Sequence, residues 1–342
     1  MRVLLVALLT VTIVFTNASP ADLWRAVLDP EVLYEVSDNI PALATKLNLT
    51  TLVQFVTKAG LAGPLSGPGP FTVFGPDNAA FGKLPKALVD ILMKNTTLLA
   101  EVLKYHVIAG AVYSSAITNE LTAPTLLPGA DIRLNVYGKT VTASGRKVIK
   151  VDQNATNGVI HVLGGVMLPP AGTVTKLAQE TPKTFSTLVH ALVAANLANA
   201  LNGPGPFTVF APTNQAFANL PPGALIDLLK NPKKLAAVLL YHVVDGTFYS
   251  AALSDGLKVQ TKNGKNVTVS ISGSNVKVND ANVIEADVTV TNGAVHVIDA
   301  VLLPPNMRFE RIDEHRTHIV PVQKHEQYRM RLIKTLNSFQ VV

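Results

Sequence analysis

The feature that most constrains this chain is that it contains the same stretch of sequence twice. Leu65-Ser-Gly-Pro-Gly-Pro-Phe-Thr-Val-Phe74 recurs as Leu201-Asn-Gly-Pro-Gly-Pro-Phe-Thr-Val-Phe210, 136 positions later. Over the longer windows Phe71 to Pro85 and Phe207 to Pro221, ten of fifteen residues are identical. Tyr105-His106-Val107 and Tyr241-His242-Val243 keep that offset, and Asn157-Gly158 faces Asn292-Gly293 at an offset of 135. Three blocks in one order at one spacing mark a duplicated unit. The period is far longer than the roughly 20–50 residues of stacked repeats, so two tandem globular domains are predicted. At 342 residues each copy is long enough to bury its own core.

Both copies read alike. An amphipathic helix comes first, with Leu49, Leu52, Val53 and Val56 on one face, matched by Phe185, Leu188, Val189, Leu192 and Val193. The Gly-Pro-Gly-Pro turn then delivers a buried strand, Phe-Thr-Val-Phe. Asp77-Asn78 and Thr213-Asn214 supply side-chain oxygens to cap the next helix. Further short helices carry Leu88, Ile91 and Leu92, then Leu99, Val102 and Leu103, with Leu235, Val238 and Leu239 in the second copy. After each Tyr-His the pattern alternates, as in Ile132, Leu134, Val136 and in Val267, Val269, Ile271. Asn263-Gly264 predicts a hairpin, and the two other Asn-Gly pairs predict tight turns into a last strand. Helices first and strands later predict an α+β domain with a mostly antiparallel sandwich.

These blocks resemble the fasciclin domain family. FTVFAPTNQAF and YHVV are similar to its two signature motifs, and TNGAVHVIDAVLLPP to its closing strand. The resemblance implies a wedge-shaped β-sandwich flanked by several short helices, over residues 39–172 and 173–306. It also implies a role in cell adhesion or extracellular matrix. The larger matrix members of that family carry four such domains and a Cys-rich N-terminal module. This chain has two copies and no cysteine, so cross-linking through such a module is not implied.

Two receptor-recognition elements follow from the resemblance. One is an acidic-aliphatic motif, Glu-Pro-Asp-Ile-Met in the type member, aligned here with Glu285-Ala286-Asp287-Val288-Thr289. An exposed Asp287 carboxylate can complete the coordination of an integrin-bound divalent cation, with Val288 packing beside it. The competing reading makes Asp287 a solvated loop residue ahead of a strand. In the first copy the aligned segment is Val151-Asp152-Gln153-Asn154. The other element surrounds Tyr105-His106 and Tyr241-His242. Against it stands a structural role, in which ring and imidazole pack and bond locally at a helix-to-strand junction. No Arg-Gly-Asp occurs anywhere in the chain.

Export is predicted by the N-terminus. Met1-Arg2 precedes the apolar run Val3 to Phe15, and Thr16-Asn17-Ala18 offers small residues for cleavage after Ala18. Residues 1–18 read as a signal peptide and 19–38 as a lead segment; the run is too short to span a bilayer comfortably. Sequons at Asn48, Asn95, Asn154 and Asn266 are candidate glycosylation sites, with Asn17 lost on cleavage. Asn95, Asn154 and Asn266 fall in predicted loops or a hairpin, and Asn48 just ahead of a predicted helix. With 48% hydrophobic and 15% charged residues and no cysteine, each domain must stand on its core alone.

The formal charge of +6 is unevenly placed. Residues 306–342 carry seven Lys/Arg against four Asp/Glu, and Arg2 is lost with the signal, so the body holds no basic stripe for nucleic acid. The tail 307–342 reads as a basic, poorly ordered extension, or as an arm for acidic polysaccharide. Its His315, His318 and His325 form a weak chelating composition.

No nucleophile elbow, zinc-protease helix or phosphate loop is present. Gly67-Pro-Gly69-Pro lacks the N–H groups a phosphate cradle needs. His106, His161, His242 and His296 sit at matched positions in apolar blocks with no Cys or second His nearby, so they read as core histidines and not as metal ligands. Nothing calls for a cofactor. The expected function is a secreted, non-enzymatic adhesion or matrix glycoprotein contacting integrin-like receptors or other matrix proteins. A glycan- or mineral-binding component acting through its tail is the alternative.

Overall fold

The computed structural model describes residues 38–307, so the expected signal peptide, nearly all of the expected lead segment, Asn17 and the tail with its three histidines lie outside the described residues. The chain divides into two units between Leu168 and Pro169, four residues ahead of the expected boundary at Gly172.

In the first unit the order is α1 (Ile40–Lys46), α2 (Thr50–Lys58), α3 (Ala62–Ser66), β1 (Phe71–Pro76), α4 (Asn78–Gly82), α5 (Lys86–Lys94), α6 (Thr96–Tyr105) and β2 (Val107–Ala109). Then come β3 (Leu121–Pro124), β4 (Asp131–Tyr137), β5 (Thr140–Ala143), β6 (Arg146–Ala155) and β7 (Gly158–Leu163). Side-chain caps start three of these six short helices. Asn39 accepts from the Ala42 N–H, Asp77 from Ala80 and Asn95 from Leu98. The helix α2 has no cap of its own, since Leu49 precedes it. Asn78 supplies one from across the fold: its Oδ1 accepts from the Thr51 N–H at 3.0 Å, and its Nδ2 donates to the Asn48 carbonyl at 2.9 Å. Asn78 therefore serves the preceding helix, not the following one.

The seven strands form one continuous sheet in the order β2-β1-β7-β6-β5-β4-β3. Only β1 and β7 run parallel, with Phe71 opposite Gly158. The sandwich is this one sheet folded over. β6 pairs with β5 at its start and β7 beyond, with register shifts between Val148 and Lys150 and between Lys150 and Gln153. Phe74 and Leu163 of one half thereby meet Ile132, Leu134 and Ala143 of the other. The two edges also touch, since Ile108 bridges Thr125 and the Leu126 N–H donates to the Val107 carbonyl. Closing on itself leaves little free edge. On the opposite face of β1 and β7, Val73, Ile160 and Val162 pack against Leu52, Phe55, Leu99 and Val102 from the helices.

The second unit repeats this with α7 (Val174–Glu180), α8 (Pro182–Ala194), α9 (Ala198–Leu201), β8 (Phe207–Pro212), α10 (Asn214–Ala218), α11 (Ala224–Lys230), α12 (Pro232–Leu240) and β9 (Val243–Asp245). Its remaining strands are β10 (Lys258–Gln260), β11 (Asn266–Ser272), β12 (Asn275–Val278), β13 (Ala281–Val290) and β14 (Gly293–Ile298). The sheet order is β10-β11-β12-β13-β14-β8-β9, and β8 and β14 are its parallel pair. Asn263-Gly264 lies in the hairpin joining β10 and β11, as expected. Thr213 caps α10, while Asn214 accepts from the Thr187 N–H in α8. Each domain is thus the α+β sandwich with several helices that the sequence predicted.

Two apolar residues depart from expectation. Ile91 is 52% and Val193 59% exposed. The buried stripe of α5 runs through Leu88, Val89 and Leu92, which leaves Ile91 on its flank; Val193 lies at the margin of the α8 stripe in that helix's last turn.

Candidate functional site

The Tyr-His pairs end the helices α6 and α12, and all four side chains are buried. The Tyr105 hydroxyl lies 2.8 Å from Ser144 Oγ and bonds the Asp131 carbonyl; burial pushes its pKa up to about 12. Tyr241 donates to the Asn266 carbonyl at 2.8 Å and accepts from Asn279 Nδ2 at 3.0 Å. His106 sets Nδ1 2.7 Å from the Val102 carbonyl and receives the Met167 N–H on Nε2 at 3.0 Å. His242 does the same between Val238 and Leu302, at 2.8 and 2.9 Å. A ring with a carbonyl on one nitrogen and an N–H on the other is neutral with its proton on Nδ1. Burial lowers both imidazoles to about 4, against the smaller opposing pull of the carbonyl. The histidines staple the helix end to the segment after the last strand and the tyrosines staple it to the other half of the sheet, and all four offer a partner almost no surface.

Asp287 also differs from the exposed carboxylate, and from the solvated loop residue, that the sequence suggested. It is 8% exposed. The register slip between Glu285 and Val288 in β13 puts it at φ 61° and turns its side chain inward. Its carboxylate accepts from the Ser250 N–H at 2.6 Å and from Ser250 Oγ at 2.5 Å. Its own N–H points at His296 Nδ1, 3.4 Å away, and His296 Nε2 lies 2.7 Å from the Phe248 carbonyl. With both oxygens engaged and little surface left, the group holds the bulge in place. Val288 is partly buried against the helix-side core.

The first unit repeats this clamp. Asp152, at φ 56° beside the β6 slip, accepts from the Ser114 N–H at 2.8 Å and from its hydroxyl, while its N–H donates to His161 Nδ1 at 3.2 Å. His161 Nε2 lies 2.8 Å from the Val112 carbonyl. Serine, aspartate and histidine converge, but in the wrong order for nucleophilic catalysis. The hydroxyl donates directly to the carboxylate, and both ring nitrogens are taken by backbone groups, so no imidazole nitrogen faces the serine. Burial lowers the His296 pKa, opposed by the Asp287 carboxylate and the Phe248 carbonyl.

Two further residues escaped the sequence reading. Asn157 and Asn292, which the sequence pattern marks only as turn formers, are both buried clamps. Asn157 accepts from the Ile40 N–H at 2.9 Å and donates to the carbonyls of Leu65 and Gly67, both at 2.8 Å. Asn292 joins Val174, Leu201 and Gly203 in the same way. Ser114 and Ser250 carried no signal beyond their matched place in the two copies.

The four sequon asparagines are all exposed. Asn48 follows α1, Asn95 caps α6 and Asn266 opens β11, whereas Asn154 lies within β6 instead of in a loop. Among the described residues no cluster of three or more potential metal-ligating side chains is present, and no helix is long and apolar enough to cross a membrane.

Fold and clamps together define a tandem pair of α+β sandwich domains whose repeated polar groups are structural. The model of the Fasciclin domain matches residues 47–169 and 183–304, and the chain belongs to the fasciclin domain family. It is 30% identical to pig (Sus scrofa) transforming growth factor-beta-induced protein ig-h3 over 286 residues, covering 83% of this chain and 41% of that protein. It is 29% identical to human (Homo sapiens) periostin over 262 residues, covering 76% of this chain and 31% of periostin. The chain therefore spans less than half the length of these two relatives. A solved FAS1 domain pair from the insect cell adhesion molecule Fasciclin I overlays with a TM-score of 0.36 at 21% identity, covering 75% of this chain and 97% of that one.

Proposed function

We propose that this chain is a secreted adhesion or matrix glycoprotein that acts by protein–protein contact and performs no reaction. The observation that carries this reading is the repeated fate of its reactive side chains. In both copies the serine, aspartate, histidine and tyrosine groups that chemistry would need are consumed in buried or partly buried structural bonds. What each domain offers outward is shape and apolar surface. Ile149 and Val151 stand exposed on the slipped strand β6, and Ile284 takes the matching place of Ile149 on β13. Exposed sequons and the N-terminal apolar run support export.

Contact with an integrin-like receptor belongs on this reading to such exposed side chains and not to Asp287. Cell attachment to the immobilised full chain tests it, with and without chelator. Replacing Ile149 and Val151 together by Asp is expected to reduce attachment at least several-fold while the thermal transition stays put. Attachment that ignores chelator and vanishes at high salt favours binding of acidic polysaccharide through the basic tail, and would sink the receptor reading.

A further inference from the structure

The two clamp corners differ in one respect that the duplication makes visible. In the second unit Tyr249, just before the clamping Ser250, is 0% exposed, with its hydroxyl 3.3 Å from Thr289 Oγ1. The matching residues of the first unit are Tyr113 and Asn154, at the same offsets of 136 and 135 that relate the repeats. The serine-to-aspartate bonds are the same in both, so the chain is held in the same register around this corner. Tyr113, however, is 42% exposed, and the small Thr289 is replaced by an exposed asparagine that begins Asn154-Ala155-Thr156. The Asn154 carboxamide makes no hydrogen bond among the described residues, so its Nδ2 is free of structural duty, and Thr156 is exposed as well.

The geometry points to Asn154 as an occupied N-linked glycosylation site whose first sugar stacks on the ring of Tyr113. An aromatic face carries negative charge density and the C–H bonds of a pyranose are positively polarised, so the two attract while the sugar's hydroxyls stay in water. Attachment uses a lipid-pyrophosphate-linked oligosaccharide as donor. Asn154 Nδ2 bonds to the anomeric carbon, the carbon–oxygen bond to pyrophosphate breaks, and Nδ2 loses one proton as the lipid pyrophosphate leaves. The sugar then covers an aromatic residue whose counterpart in the second unit lies buried. This inference rests on the export proposed above, because the donor is met only in a secretory route.

The test is expression of the full chain in a eukaryotic secreting cell, followed by site-by-site mass analysis after enzymatic deglycosylation that converts an occupied Asn to Asp. Asn154 is expected to be occupied in chain recovered from the medium. Thr156→Ala, which abolishes the site, is expected to lower the melting temperature of the first unit by about 2–5 °C. It should have no such effect in a Tyr113→Ala background, and the first sugar's protons should show ring-current shifts that disappear with Tyr113→Ala. Secreted chain bare at Asn154 overturns this inference and leaves export standing. Chain retained in cells with every sequon bare overturns both. An occupied site whose loss has the same thermal effect with and without Tyr113 overturns the stacking.

Discussion

At the scale of single residues, the buried histidines set how the protein responds to acid. His106 and His242 hold to about 4 in the folded state, whereas an unfolded chain takes up that proton near 6.5. Between those values the unfolded state binds more protons. The stabilisation is therefore complete above about pH 6.5 and is lost as pH falls toward 4, by about 3 kcal/mol for each histidine. Denaturant melts at pH 7.5 and 4.5 should show this loss, and His106→Gln should be less stable at pH 7.5 with a shallower pH dependence; equal slopes would refute the assignment. Asp287 acts through its bonds. Asp287→Ala leaves the Ser250 N–H without its acceptor in a buried corner and should cost about 2–3 kcal/mol, read by urea melts. Asp152→Ala should cost less, because the Asp152 side chain is about one-third exposed and water replaces part of what is lost.

At the scale of elements, the repeated order of helix, loop and strand is held by close approaches that tolerate no side chain. Gly158 sits at φ 151° where an added Cβ would lie 2.0 Å from the Phe71 carbonyl oxygen, and Gly293 meets Phe207 at 1.8 Å. The parallel pairing of β1 with β7, and of β8 with β14, depends on this approach. Gly158→Ala should therefore abolish the cooperative transition of the first unit, measured by calorimetry, and survival of that transition with an unchanged midpoint would contradict the register. The helix α2 depends on a cap that is distant in sequence. Asn78→Ala should destabilise the first unit by about 1 kcal/mol, with Asn214→Ala matching it in the second.

At the scale of the molecule, each unit carries its own pair of apolar clusters, one between sheet and helices and one between the two halves of the folded sheet. Two calorimetric transitions are expected, and Gly293→Ala should remove one and leave the other; loss of both would show that the units do not fold independently. The duplication, the α+β class, the caps Asp77 and Thr213, and the hairpin at Asn263-Gly264 were all legible in the sequence. Such features are encoded by residues a few positions apart, through periodicity, cap chemistry and turn preference. The direction of Asp287 was not legible, because a register slip turns it inward and its acceptor role is completed by Ser250, 37 positions away. The same holds for Asn78 serving α2 and for Asn157 binding Ile40, 117 positions away. By itself the sequence determined that two similar domains form and where most of their elements lie. Only the tertiary structure decided which polar side chains face solvent and which are spent inside, because that depends on strand register and on partners that local pattern does not record.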